Sequence, residues 1–250
     1  MIALRTVADV AAACGDDPLI VWAAQDMRPG VRAWADGEAV AVAVPQLSRR
    51  DRIAVVGDPT GVANLLRAVL SQVGPTFRPL GDAGLIDEVV GVVPGLEMGG
   101  RFGWMDVLPP PVPPRPSGAA SAPGWLGEAE LGEVDALLDE AFPTSYARPG
   151  GSGIRRWAGL REAGGPLLAV AADAWSVPQV GFMGGVATRP AARGRGHAAA
   201  VCAFVVRDLL ARHGRVALFV DDWNTAAIRM YEQLRFRMRP VAAARWTATC

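Results

Sequence analysis

Apolar and polar positions change period several times along the chain, and each change marks an element. Residues 31–44 read as a hairpin that turns at Asp36-Gly37, with Val40, Val42 and Val44 alternating along the second arm. Residues 52–56 read as another strand. The run Asp58-Pro59-Thr60-Gly61 breaks it, and Val62, Leu65, Leu66, Val69 and Leu70 then repeat at helical spacing over 62–73. The second half opens with a helix over 131–142, apolar at Leu131, Val134, Leu137, Leu138 and Phe142, and Pro143 ends it. A loop over 148–153 and a short second helix over 154–160 follow. Strands over 166–172 and 179–188 flank a turn near Asp173. Then come a Gly/Arg-rich turn, a helix over 196–213, a strand over 216–220, a helix over 225–234 and a last strand pair over 236–249. The second-half order is α, β, β, α, β, α, β.

The run Leu108 to Gly124 (LPPPVPPRPSGAASAPG) interrupts this pattern. Its prolines lack backbone donors and favour extended polyproline backbone, which makes it a linker. The expected division is an N-terminal lobe at 1–107, a Pro-rich linker at 108–124 and a second domain at 125–250. A hydrophobic share of 51% supplies a sizeable core for two lobes. The 25 basic residues, all Arg, balance 25 acidic ones. A net charge of zero argues against bulk nucleic-acid binding, which needs a basic surface. No apolar run reaches the length of a membrane span, and Asp9, Asp16 and Asp17 interrupt the N-terminus without a basic segment before them, so neither a membrane segment nor a signal peptide is expected. Cys14, Cys202 and Cys250 lack metal-ligand spacing and fit reduced thiols in a cytoplasmic protein with no metal.

Candidate chemistry concentrates at Gly184 to Ala198 (GGVATRPAARGRGHA). A strand ending at Thr188 feeds Arg193-Gly194-Arg195-Gly196-His197-Ala198, which opens the long helix. A helix start leaves backbone N–H groups unpaired and carries partial positive charge. Two glycines let backbone approach a ligand, and Arg193 and Arg195 add full charges, so the turn suits a pyrophosphate. A plain Gly-rich helix start with solvated arginines accounts for the turn alone equally well.

Two motifs together are more specific. Arg193, Gly196 and Ala198 match Arg/Gln-x-x-Gly-x-Gly/Ala, and about 30 residues on, Asn224 to Phe236 reads Asn…Ala…Tyr-Glu-x-x-x-Phe. This half resembles the GNAT superfamily of N-acetyltransferases. The resemblance implies an α/β (α+β) fold with a mixed, mostly antiparallel twisted sheet and flanking helices, in tandem if the first half repeats it. It implies acetyl-CoA as cosubstrate, with the arm of pantetheine along Val186, Ala187 and Thr188. The pyrophosphate would lie on Arg193, Gly194, Arg195, Gly196, His197 and Ala198, Asn224 would contact pantetheine or an ordered water, and Tyr231 would donate a proton to the departing thiolate. Arg235 stands where the family usually has a helix-capping Gly, so a less sharp helix end is expected.

The bland reading of Tyr231 is a core aromatic sharing a face with Ala227 and Leu234. Candidate bases for the attacking amine are Glu140, Asp221, Asp222, a terminal carboxylate on Cys250 and a water chain, none with a signature. Cys202 reads as buried packing, His213 as a helix C-terminal residue, and His197 as either a phosphate contact or a solvent-facing imidazole. Trp223 is a candidate to line the acceptor pocket. The first half echoes the same element order but lacks the Arg-x-x-Gly-x-Gly/Ala pattern, and Asp58 puts a negative charge where a pyrophosphate would rest. It reads as a degenerate GNAT-like repeat that completes the core and walls the acceptor pocket. The expected acceptor is a small-molecule, peptide or protein amine, and the expected state a monomer or homodimer. A non-catalytic acyl-CoA-binding regulatory module is the alternative.

Overall fold

A computed structural model of the chain describes residues 1–109 and 122–247; most of the expected linker, and Cys250, lie outside them. The first half runs β1 (Ile2–Leu4), α1 (Val7–Ala13), α2 (Pro18–Ala23), β2 (Arg32–Asp36), β3 (Ala39–Leu47), β4 (Arg50–Val56), α3 (Pro59–Val73), β5 (Arg78–Asp82), α4 (Ala83–Val92) and β6 (Leu96–Val107). The second half runs β7 (Gly124–Trp125), α5 (Leu131–Ala141), β8 (Ile154–Arg161), β9 (Leu167–Ala174), β10 (Gly181–Thr188), α6 (His197–His213), β11 (Val216–Val220), α7 (Thr225–Gln233) and β12 (Arg237–Trp246).

Two compact units emerge. One comprises Met1–Trp104, Val220–Trp223 and Met238–Cys250, the other Met105–Phe219 and Asn224–Arg237. The units therefore do not follow a single cut in the sequence. The last strand, β12, pairs antiparallel with β5 of the first unit through Val241↔Asp82 and Ala243↔Leu80. Its Ala242 and Ala244 join the first unit's core around Leu66, Val69 and Ile86. Burying that apolar strand face holds the chain end in a unit whose other strands lie more than 130 residues upstream.

In the first unit the strand order is β1-β2-β3-β4-β5-β12-β6. The expected hairpin forms, with Asp36↔Ala39 closing its turn at Gly37, whose φ of +58° is the left-handed conformation glycine tolerates. Arg239 of β12 clasps Asp17 with both terminal nitrogens at 2.7 and 2.8 Å, while the same carboxylate caps α2 through the amides of Leu19 and Ile20.

In the second unit the order is β11-β10-β9-β8-β7, with β10 parallel to β11 and antiparallel to β9. Helices α5 and α6 pack against β9 and β10. Helix α6 buries Val201, Cys202, Val205, Val206, Leu209 and Leu210, a wider stripe than its spacing suggests. Residues 154–160 are the strand β8, not a helix. Its pattern of Trp157, Ala158 and Leu160 suits a strand covered on both faces, which periodicity does not separate from a buried helix. Likewise, the expected strand pair over 236–249 is the single strand β12 as far as residue 247, and residues 248 and 249 lie outside the described residues.

From β2 onward the first half follows β-β-β-α-β-α-β, and from β8 the second half follows the same order. In both, the third strand runs parallel to the strand after the helix, β4 with β5 and β10 with β11. The architecture is a mixed, mostly antiparallel sheet with flanking helices, and the element order repeats.

Candidate active site

The site begins where β10 leaves β11. Their parallel pairing covers Gly181↔Val216 and Phe182↔Ala217, while β10 continues to Thr188. On its other edge β10 stays paired to β9, interrupted by a bulge between Gly184 and Ala187. Gly185 sits in that bulge with φ +61°, a conformation that costs other residues energy. Residues 184–186 and Thr188 are half-buried and have one backbone edge free of β11. A parting of this kind leaves main-chain donors and acceptors for an extended ligand to pair with.

A 3-10 turn over Pro190–Ala192 then leads to α6, whose N-cap is Gly196 at φ +80°. No side chain caps this helix. The first helical bond, Ala200 N–H to Gly196 C=O, leaves the amides of His197, Ala198 and Ala199 without acceptors among the described residues, and the amides of Gly194 and Gly196 have none either. Gly194 also has a left-handed φ of +75°; around both glycines a Cβ would meet open space, so backbone shape rather than crowding selects glycine. Arg195 is exposed and makes no ion pair among the described residues. Arg193 donates to the carbonyls of Thr188 and Ala141 at 3.3 Å each, tying the turn to the end of β10. Bare amides, a 17-residue helix dipole and a free guanidinium fit a diphosphate.

The corresponding place in the first unit is built differently. Helix α3 starts with Asp58 as N-cap, its Oδ1 accepting from Gly61 N–H at 2.8 Å. A carboxylate already occupies that helix start. The cavity nearby is lined by Asp17, Val55, Gly57, Asp82 and Arg239, and its one arginine is held by Asp17. Like charge opposes a phosphate there.

The remaining site residues fall as follows. Asn224 is the N-cap of α7, its Oδ1 accepting from Ala227 N–H at 3.2 Å, which leaves its amide NH2 and the second lone pair of Oδ1 for a ligand. Tyr231 is buried on α7, its ring 5.8 Å from that of Phe236. Burial, and secondarily the neighbouring Cys202 thiol, push the phenol well above its usual value. Cys202 is fully buried and its own thiol is driven up by desolvation, so it is packing and not a nucleophile. His197 is buried, which corrects the solvent-facing alternative; its Nδ1 has no partner among the described residues. His213 Nδ1–H donates to Pro178 C=O at 3.3 Å, a structural role. Glu140 is ion-paired with Arg189, which weakens its candidacy as a base. Asp221 and Asp222 are exposed at the end of β11, and Trp223 beside them is 74% exposed. Among the described residues no cluster could hold a metal ion, and no helix is long and apolar enough to cross a membrane.

Arg235 corrects another expectation. It adopts φ +69° directly after the helix, with Arg235 N–H donating to Glu232 C=O and Phe236 N–H to Tyr231 C=O. These two bonds and the Tyr231–Phe236 contact make a complete Schellman cap, so the helix ends sharply without glycine. An arginine in this conformation is strained. Arg235→Gly is expected to stabilise the protein by about 1 kcal/mol, read from the midpoint of urea denaturation.

Asp173 escaped the sequence reading, which placed a turn there. It is fully buried inside β9, accepts from Ser176 Oγ at 2.6 Å and pairs with Arg212 at 2.9 Å and Arg156 at 3.5 Å. Ser176 Oγ in turn accepts from Phe182 N–H on β10 at 2.8 Å. The signal available was a lone carboxylate within an alanine-rich apolar run, Leu167 to Trp175.

Known proteins share this fold. The solved structures it resembles include a GNAT-family protein from Novosphingobium aromaticivorans DSM 12444, at 23% identity over 86% of this chain and 92% of that one, with TM-score 0.53. GCN5-related N-acetyltransferases from Kribbella flavida and Sphaerobacter thermophilus each share 18% identity, with TM-scores 0.61 and 0.60. They cover 88% and 96% of this chain, and 90% and 89% of their own lengths. The fold is that of the GNAT N-acetyltransferases. Residues 159–247 match the family model described as FR47-like protein, which is GNAT-related. No curated protein sequence matches the chain.

Proposed function

We propose that the chain is an acetyl-CoA-dependent N-acetyltransferase that transfers acetyl to a primary amine by direct attack. The reading is carried by one observation: β10 abandons β11 after two residue pairs and leads into an uncapped helix start whose amides from Gly196 to Ala199 have no acceptor among the described residues. Bound acetyl-CoA supplies an activated acyl carbonyl and a thiolate leaving group.

This chain's residues do the rest. The amides of Gly194 and of 196–199 and the Arg195 guanidinium neutralise the diphosphate, and the free edge of Val186 to Thr188 aligns the pantetheine arm by main-chain hydrogen bonds. Tyr231, kept protonated by burial, gives its phenolic proton to the sulfur as the C–S bond breaks, and the phenolate then recovers a proton from water. The amine loses its proton to water. The first half, with its capped helix start, holds no second cofactor and serves as a degenerate repeat. The acceptor is a small-molecule, peptide or protein amine, and the protein works in the cytoplasm without a metal.

The alternative, an acyl-CoA-binding regulatory module, shares the cradle but has no use for a positioned phenol. The presence of Tyr231 on the second motif favours catalysis.

The cradle is tested by giving α6 the carboxylate that α3 already has. Gly196→Asp is expected to weaken CoA binding at least about tenfold in calorimetric titration, because a negative cap fills the amides and repels phosphate. Equal affinity in the variant and the parent protein would remove the cradle from the mechanism.

A further inference from the structure

We infer that the indole of Trp157 restricts the acyl group of the donor to acetyl size. The inference rests on the proposed course of pantetheine along β10 and adds to it a statement about the acyl end. With the pyrophosphate at residues 194–199, just beyond the carboxyl end of β10, an arm lying along Thr188 to Val186 runs back toward the start of the strand. The next positions are Gly185 and Gly184, and the thioester arrives beside them.

The space at these two glycines is taken. A Cβ built on Gly185 would stand 2.4 Å from Cη2 and 2.9 Å from Cζ3 of Trp157, and 3.0 Å from the Cβ of Ala147. One on Gly184 would lie 3.3 Å from Cζ3 of Trp175, 3.6 Å from Ala174 Cβ and 3.8 Å from Ala147 Cβ. A single methyl fixed to the strand at 185 already collides. Trp157 is 1% exposed and sits in the middle of β8, locked by the antiparallel register Trp157↔Ala172. This wall is a sheet residue, not a loop side chain that swings aside. Protein interiors yield little to added methylenes, so a longer chain entering here meets a fixed obstruction.

The test is calorimetric titration of the full chain with CoA, acetyl-CoA and hexanoyl-CoA. The parent protein is expected to bind acetyl-CoA about as tightly as CoA, and hexanoyl-CoA at least about tenfold more weakly, within the range that methylenes discriminate in an apolar site. Trp157→Ala is expected to bring the two acyl forms within about threefold of each other while leaving CoA affinity unchanged. Trp157→Leu serves if the alanine variant loses its circular-dichroism signature, since Nε1 has no acceptor among the described residues and leucine forfeits no hydrogen bond. Equal affinity of the parent protein for acetyl-CoA and hexanoyl-CoA, or a chain-length gap that both Trp157 variants retain, overturns the inference and leaves the cradle standing. Absence of binding by CoA itself overturns the cradle, and the acyl inference with it.

Discussion

Tyr231→Phe is expected to lower turnover by about 10²- to 10³-fold while CoA binds as before, within the range that one positioned acid contributes. The change removes one oxygen. The ring stays against Phe236, and the helix cap formed by the Tyr231 carbonyl is untouched. Lost activity therefore reports lost proton donation and not a lost fold. The pH profile makes the assignment sharper. Burial disfavours the phenolate, so Tyr231 remains protonated through and beyond the pH near 10 at which an ordinary tyrosine ionises. Turnover should hold its plateau up to that edge. The same shift has a stability consequence. The unfolded phenol releases its proton near pH 10 while the folded one keeps it, so folding stability contributed by this group is intact below about pH 10 and declines above it. Rates are thus best compared below that value. Thiol release from acetyl-CoA across a panel of amines reads both effects, and undiminished turnover in the phenylalanine variant ends the proton-donor role and restores the core-aromatic reading.

Much of this site was visible in the amino-acid order because its requirements are local. The paired glycines at 194 and 196 answer a backbone demand, two left-handed residues before a helix, and such demands are met by residue type at fixed positions. Asp58 announced a filled helix start for the same reason, since its capping bond reaches only to Gly61. What stayed hidden depends on partners far away in sequence. Residues 154–160 looked helical because from Trp157 to Leu160 the strand is buried on both faces and has no alternation to display. The return of β12 to the first unit depends on pairing with β5, some 160 residues upstream, and no local signal encodes it. Arg235 misled in the other direction. Two backbone hydrogen bonds and a ring contact hold the left-handed turn that glycine would adopt more readily.

Asp173 is the residue whose loss should damage the second unit most. Its carboxylate is wholly buried, yet two guanidiniums and a hydroxyl surround it. Arg212 and Arg156 also share Asp208, so the charges form a chain from β8 through β9 to α6. Through Ser176 the same carboxylate fixes the amide of Phe182, the last β10 residue paired with β11 before the strands part. The network thus sets where β10 and β11 part. Asp173→Ala leaves Ser176 without its acceptor and two arginines facing a void. Losing one partner of a buried ion pair usually costs about 3–5 kcal/mol; because Arg156 and Arg212 are 31% and 40% exposed and regain some water, about 3 kcal/mol is expected here. Asp173→Asn keeps an oxygen for Ser176 and should cost less, which separates the hydrogen bond from the charge. Urea denaturation of the three proteins measures both differences. An alanine variant within about 0.5 kcal/mol of the parent, the scatter of ordinary surface substitutions, would show that the network carries no weight in holding β9, β10 and α6 together.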